Sequence, residues 1–260
     1  TFVKWQIEGV DFAQTGTWTL MTNITLTAVW SANTYIVSRS PLTDLTVTFG
    51  LSYDIGVPTR TGYTFVQWLR SGLTFAQTGT WNIASNVTLT AEWLTNTTTI
   101  TLHKNGGTGG TSEVTATFDS AMPTAVAPTR AGYVFEGYYD ALTDGTQYYM
   151  NTMASARTWN KDMATSTLYA RWTANTYTVT RPPLANLIVT YNQSYDVGTP
   201  TQTGYSFVSW TRVDTGTDFE QTGTWTYLTD ITLSPVWIAY TTTITLDKQN
   251  GTGGTESVIA

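Results

Sequence analysis

Cysteine is missing from this chain, and histidine occurs once, at His103. The first absence excludes disulfides, thiolate nucleophiles and thiolate metal sites. Charge is also scarce. Lys, Arg, Asp and Glu make up 12% of the 260 residues, twelve basic against eighteen acidic, for a net charge of −6. No run of Lys or Arg stands out, so the phosphate-neutralising patch that nucleic-acid binding requires is lacking. No apolar run approaches the roughly 18 residues of a membrane span, and no signal peptide is visible. Ala, Leu, Glu and Lys are few, which removes the helical bundle from consideration. What is present is threonine, at 58 positions, with eleven Trp, fifteen Tyr and 41% apolar residues. Thr, Val, Tyr and Trp together are a strand-forming mixture, and the apolar content is too high for a disordered chain.

Internal repetition sets the organisation. The string FAQTGTW stands at Phe12–Trp18 and again at Phe75–Trp81, and returns as FEQTGTW at Phe219–Trp225. GYxF recurs at Gly62–Phe65, Gly132–Phe135 and Gly204–Phe207, and units close on Trp30, Trp93, Trp172 and Trp237. Two kinds of unit alternate. Short units cover residues 31–93 and 173–237, a long unit covers 94–172, residues 1–30 are the C-terminal part of a short one, and 238–260 begin another long one. One short plus one long unit gives a period of about 142–144 residues. Both ends of the sequence fall inside a unit, so it is expected to be a window on a longer array. The competing expectation is a fibre in which half-units of successive subunits complete one another by strand addition.

Each unit is predicted to hold four strands. The opening segments (Thr34–Arg39, Thr176–Arg181) and the closing ones (Ile24–Trp30, Val87–Trp93, Leu168–Trp172) alternate apolar and polar residues, the pattern of a half-buried strand. A second strand carries Leu45, Val47 and Phe49, or Val114, Ala116 and Phe118, or Leu187, Val189 and Tyr191. A Pro-Thr-x-x-Gly turn (Pro58–Gly62, Pro128–Gly132, Pro200–Gly204) then leads into the GYxF strand, Pro presetting φ and Gly permitting its positive value. Phe65 and Trp68 stand three apart, so they share a face only across a bulge; otherwise both faces are partly covered. The only helix candidate is Met150–Arg157. Trp30, Trp93, Trp172 and Trp237 are expected to be mostly buried.

The long unit contains Asn105-Gly106-Gly107-Thr108, the run Pro128–Tyr139 (PTRAGYVFEGYY) and Thr167–Trp172 (TLYARW), and the short units keep Pro58–Trp68 and Pro200–Trp210 without NGGT. This pattern resembles the Listeria–Bacteroides repeat, the B-repeat of internalin-like bacterial surface proteins, with Tyr138 where that family usually has Trp. The resemblance implies a β-grasp-like unit of about four strands, mainly β, or α+β with at most one short helix. It also implies tandem arrays on the extracellular bacterial surface, between a functional head and an anchor, and it brings no catalytic residues.

No enzymatic site is expected. The stretch Asn105–Thr111 lacks the spacing and Lys of a phosphate loop and is read as a hairpin turn. His103 has no recurring partners, and Asp54 and Asp196 are read as turn caps. The Asp140–Asp144 and Asp214–Asp218 loops could reach calcium but lack EF-hand ligand density. No catalytic, cofactor or metal residues are assigned, and no ligand is specified. Trp18, Trp81, Trp159 and Trp225 are read as packing residues because a unit of about 65 residues needs large aromatics to hold a core; the competing role is stacking on sugars. Sequons at Asn23, Asn86, Asn96, Asn192 and Asn250 are chance products of a Thr-rich chain. The expected function is a semi-rigid stalk or fibre whose partners are neighbouring repeats or chains of the same protein, with an adhesin binding host or cell-surface glycans or proteins by avidity as the alternative.

Overall fold

The computed structural model covers residues 1–260 and is all β, without a helix. No helix is therefore long and apolar enough to cross a membrane. The chain packs as two compact bodies. One comprises Thr1–Thr98 with Thr117–Ser120 and Trp159–Ala164, the other Thr99–Ala116 with Ala121–Thr158 and Thr165–Ala260.

One strand order recurs. The sheet between residues 97 and 174 runs Glu113–Thr117, Thr97–His103, Thr165–Ala174, Tyr133–Tyr139, Gln147–Met150. The sheet between residues 176 and 239 runs Leu187–Thr190, Thr176–Thr180, Ile231–Ala239, Tyr205–Arg212, Asp218–Phe219. Residues 34–95 keep the order in two pieces, Leu45–Thr48, Thr34–Ser38, Val87–Thr88 and then Thr90–Thr95, Tyr63–Arg70, Leu73–Phe75. In each case the opening and closing strands lie side by side and parallel, while the third strand is antiparallel to the closing one. The four expected strands are present, and a short fifth returns from the third as a hairpin.

The candidate helix at Met150–Arg157 is not found. Tyr148 and Tyr149 are buried in the hairpin strand Gln147–Met150. The chain then turns, with Met153 at φ +65°, a conformation an α-helix cannot contain. A helix lying across the sheet, which would make the unit α+β or β-grasp-like, is therefore lacking.

The three-residue spacing of Phe and Trp resolves as a bulge, four times over. Pairing with the closing strand slips by one residue between Phe65 and Gln67, Phe135 and Gly137, Phe207 and Ser209, and Phe2 and Lys4. The extra residues Val3, Val66, Glu136 and Val208 point into solvent. The slip brings the flanking aromatics onto one face. Phe65 then lies 5.5 Å from Trp68 and 5.7 Å from Trp93, Phe135 lies 5.3 Å from Tyr138 and 5.4 Å from Trp172, and Phe207 lies 5.6 Å from Trp210 and 5.8 Å from Trp237.

The deep ends of these ladders form the cores. Trp68 packs with Val37, Val47, Ile55, Trp81, Val87 and Leu89; Trp210 packs with Val179, Val189, Val197, Trp225, Ile231 and Leu233. The Trp68 and Trp210 N–H groups donate to Gly56 O and Gly198 O at 2.9 and 2.8 Å. Tyr138 occupies the same place in the long unit, and its buried hydroxyl has no partner.

The closing tryptophans correct the expectation. Trp93, Trp172 and Trp237 are half-buried, and Trp30 is 69% exposed. Each stands in the last part of its strand, past the last core residue, where the neighbouring Phe covers one side. We predict that Trp68→Ala costs about 3–5 kcal/mol, as for a fully buried aromatic. Trp93→Ala should cost no more than about half of that, because less of its area leaves water on folding. Guanidinium unfolding of the whole chain measures both, and an equal loss would contradict the ladder as described.

Candidate functional site

The residues that could have carried chemistry are used in turns. Lys104 to Gly107 form a β-turn in which Asn105 and Gly106 take φ of +46° and +86° and Gly107 N–H donates to Lys104 O at 3.0 Å. His103 is exposed, its Nδ1 accepting from Asn105 N–H at 3.2 Å and its ring 5.5 Å from Tyr169. Asp54 and Asp196 each accept the N–H two residues on, Gly56 at 2.8 Å and Gly198 at 2.7 Å. Asp140 accepts from Thr146 N–H at 2.6 Å, and Asp214 pairs with Arg212 at 2.6 and 3.0 Å. Neither aspartate loop gathers three carboxylate or imidazole ligands. Asn86 accepts from Ile36 N–H at 2.9 Å. Trp81, Trp159 and Trp225 are buried, whereas Trp18 is 61% exposed.

The most constrained geometry lies at the seams where one unit hands over to the next. A closing strand ends at Thr95 and the next opening strand begins at Thr97, leaving Asn96 alone between them; Asn175 stands in the same way between Ala174 and Thr176. Each is pinned from both sides. Asn96 N–H donates to Gly62 O and its carbonyl accepts from Phe118 N–H, both at 2.9 Å. Asn175 N–H donates to Gly132 O and its carbonyl accepts from Tyr191 N–H, again at 2.9 Å.

A side-chain lock lies over these bonds. A Cβ on Gly62 would stand 2.2 Å from the Phe118 ring, and one on Gly132 would stand 2.5 Å from the Tyr191 ring. The neighbouring tyrosine closes each contact edge-on, Tyr63 at 5.9 Å from Phe118 and Tyr133 at 5.5 Å from Tyr191. Arg60 and Arg130 cover the tyrosines at 3.7 and 3.9 Å. These glycines also have φ of +79° and +77°, so their lack of Cβ serves both the turn and the close approach. At the first seam Asp162 accepts from Gly62 N–H and from the Asn96 side chain, each at 2.8 Å. These bonds, the Asn96 one foremost, hold the Asp162 carboxyl below its ordinary range.

The seam was not picked out by sequence reasoning. Its parts were visible as an aromatic after each second strand (Phe49, Phe118, Tyr191), an Asn in each short linker (Asn33, Asn96, Asn175) and the Gly of GYxF. Nothing in the one-dimensional pattern says that these three meet.

The family model of the Listeria–Bacteroides repeat domain matches residues 44–92, 99–171 and 178–234. The chain belongs to the Listeria–Bacteroides repeat family. It is also similar to two proteins of Evansella cellulosilytica. One, named as a membrane protein, is 28% identical over 227 residues, covering 80% of this chain and 32% of the relative. The other, named as a Gly-rich membrane protein, is 27% identical over 275 residues, covering 96% of this chain and 30% of the relative. Internalin H of Listeria monocytogenes is 35% identical over 112 residues, covering 42% of this chain and 19% of the internalin. The chain thus spans a third or less of each of these relatives.

Two measurements test the seam. Gly62→Ala combines the strain of positive φ with a clash on Phe118, whereas Gly204→Ala, at φ +83° with nothing within 4 Å, meets the strain alone. The second should cost about 1–2 kcal/mol and the first about 1–3 kcal/mol more, from overpacking. Equal losses in denaturant unfolding would show that the ring does not lock the glycine. For Asp162, a folded pKa below the unfolded value means that its contribution is complete above the unfolded pKa and is lost as pH falls through the folded one. Between about pH 5 and 2 the wild type should therefore lose stability more steeply than Asp162→Ala, read as the slope of the unfolding midpoint against pH.

Proposed function

We propose that this chain is a structural segment of a long extracellular bacterial surface protein and acts as a semi-rigid stalk or fibre. The observation that carries the reading is the one-residue junction. A single Asn joins closing to opening strand at Asn96 and at Asn175, and its backbone N–H and C=O are both engaged. Flexible linkers need several unbonded residues to swing a domain; these junctions have none. The neighbouring repeats are then the principal partners of each repeat, and no catalytic role is assigned.

Family membership supports the surface location, as does similarity to proteins named as membrane proteins and to an internalin. The adhesin alternative calls for recurring aromatic platforms in water. The tryptophans of the FxQTGTW strings work against it, since Trp81 and Trp225 are buried and only Trp18 is open.

Proteinase treatment of intact cells that make the native protein tests the location. Fragments containing this segment should be released while a cytoplasmic marker stays intact; protection until lysis would overturn the reading. A glycan array probed with the 260-residue protein tests the alternative, and saturable binding abolished by Trp93→Ala would favour the adhesin.

A further inference from the structure

The long and short units treat their closing indole differently. In the long unit the chain's own glycine-rich loop lies against Trp172. The indole Nε1 donates to Lys104 O at 3.1 Å, and the Asn105 side chain donates to Ala170 O at 3.1 Å. Thr108 and Thr129 exchange backbone bonds, N–H to O at 2.8 and 2.9 Å. Gly107 runs so close over the ring that a Cβ there would stand 2.5 Å from Trp172 Cζ2 and 3.0 Å from Thr129 O. Asn105 and Gly106 make the turn that brings the chain to the ring, and only glycine fits at the position that follows.

The short unit 31–93 has the receiving half of this arrangement without the loop. Thr59 takes the place of Thr129, Ala91 of Ala170 and Trp93 of Trp172 in the shared PTR and TLxAxW strings. Here they line an open cleft of about 620 Å³ with Pro41, Arg60 and Leu89. That volume is within the range that small ligands and peptide segments occupy. The loop after the opening strand lines the cleft with Ser40 and Pro41, while its flanking side chains are held elsewhere. Arg39 donates from Nε to Thr43 O at 2.9 Å and from Nη1 to Ile55 O, and the Leu42 side chain lies 3.4 Å from the Cβ position of Gly56. Thr59 and Trp93 both line the cleft, and neither Trp93 Nε1 nor the Thr59 backbone makes a hydrogen bond within the protein.

We propose that this cleft binds a glycine-rich peptide turn supplied from outside the unit, in the way the long unit binds its own Asn105–Thr108. The peptide backbone pairs with Thr59 N–H and C=O, as in strand addition to a short edge. A peptide carbonyl accepts from Trp93 Nε1, and a glycine passes over the indole. Selectivity comes from the missing Cβ, since any larger residue there meets the ring. The proposal does not depend on the stalk reading and fails separately from it.

The test uses the 15N-labelled 260-residue protein and a blocked synthetic peptide of the sequence Lys104–Thr111. The Trp93 indole N–H signal is assigned by its disappearance in Trp93→Phe. Titration should move that signal saturably, with a Kd of about 1 mM, the weak end of the affinity scale. A peptide with alanine in place of the glycine corresponding to Gly107 should bind at least about tenfold more weakly, a difference of about 1.4 kcal/mol. The proposal is overturned if the signal stays still at saturating peptide, if the alanine peptide binds equally well, or if the shifts centre on other indoles. A chito-oligosaccharide that moves the Trp93 signal when the peptide does not would also overturn it.

Discussion

In each sheet the first and last strands of a unit run side by side in the same direction, Val37 beside Val87, Thr99 beside Thr165, Val179 beside Ile231. A parallel pair requires the chain to enter at one end of the sheet and leave at the other. An antiparallel pairing of the same two strands would return the chain to its point of entry. Because it leaves at the far end, the next opening strand can start after a single residue, and Asn96 and Asn175 are that residue. The seam is thus a consequence of strand order. The Gly62–Phe118 and Gly132–Tyr191 contacts then fix what the order has brought together.

Size explains why these contacts are aromatic. A unit of about 65 residues buries only about 60% of its extended surface, and this chain has no disulfide to compensate. Rings offer the most apolar area per residue at low conformational cost. The bulge at Val66, Glu136 and Val208 makes the Phe–Trp pairs possible by removing the two-residue alternation for one step. Without it Phe65 and Trp68 would face opposite sides, and one large ring would be lost from each core. A bulge residue only has to tolerate water, so Val, Val and Glu serve alike.

Much of the fold was legible in one dimension because the repeats supplied several readings of the same pattern. The strand positions, the turns before GYxF and the choice between a bulge and two partly covered faces all follow from local chemistry that Thr, Pro, Gly and the alternating apolar residues express within a few positions. The helix candidate at Met150–Arg157 shows the limit of the same reasoning, since Tyr148 and Tyr149 are drawn into the core by partners distant in sequence. The burial of Trp93 and Trp172 was overestimated for a related reason. The two-residue phase says which face a side chain takes, but not how far along the strand the opposing layer reaches. The seam was hidden most completely. Asn96, Gly62 and Phe118 come from three segments, and Asp162 from a fourth that has no counterpart of the same sequence in the short units.

The glycines show why a repeat family can vary its loops while keeping its framework. Gly62 and Gly132 are needed twice, once for positive φ and once for the approach of a ring. Gly204 keeps the same φ with nothing against it. Gly107 has no positive φ to satisfy, so its absence of a side chain serves the close approach to Trp172 and Thr129 O. The turn requirement therefore fixes the first class wherever the third strand begins, and ring contacts can be added or omitted there without remaking the backbone. Replacing the NGGT loop by the Pro41 loop belongs to the second class. It removes a cover from an indole but leaves the parallel strands, the bulge and the Asn junction as they were.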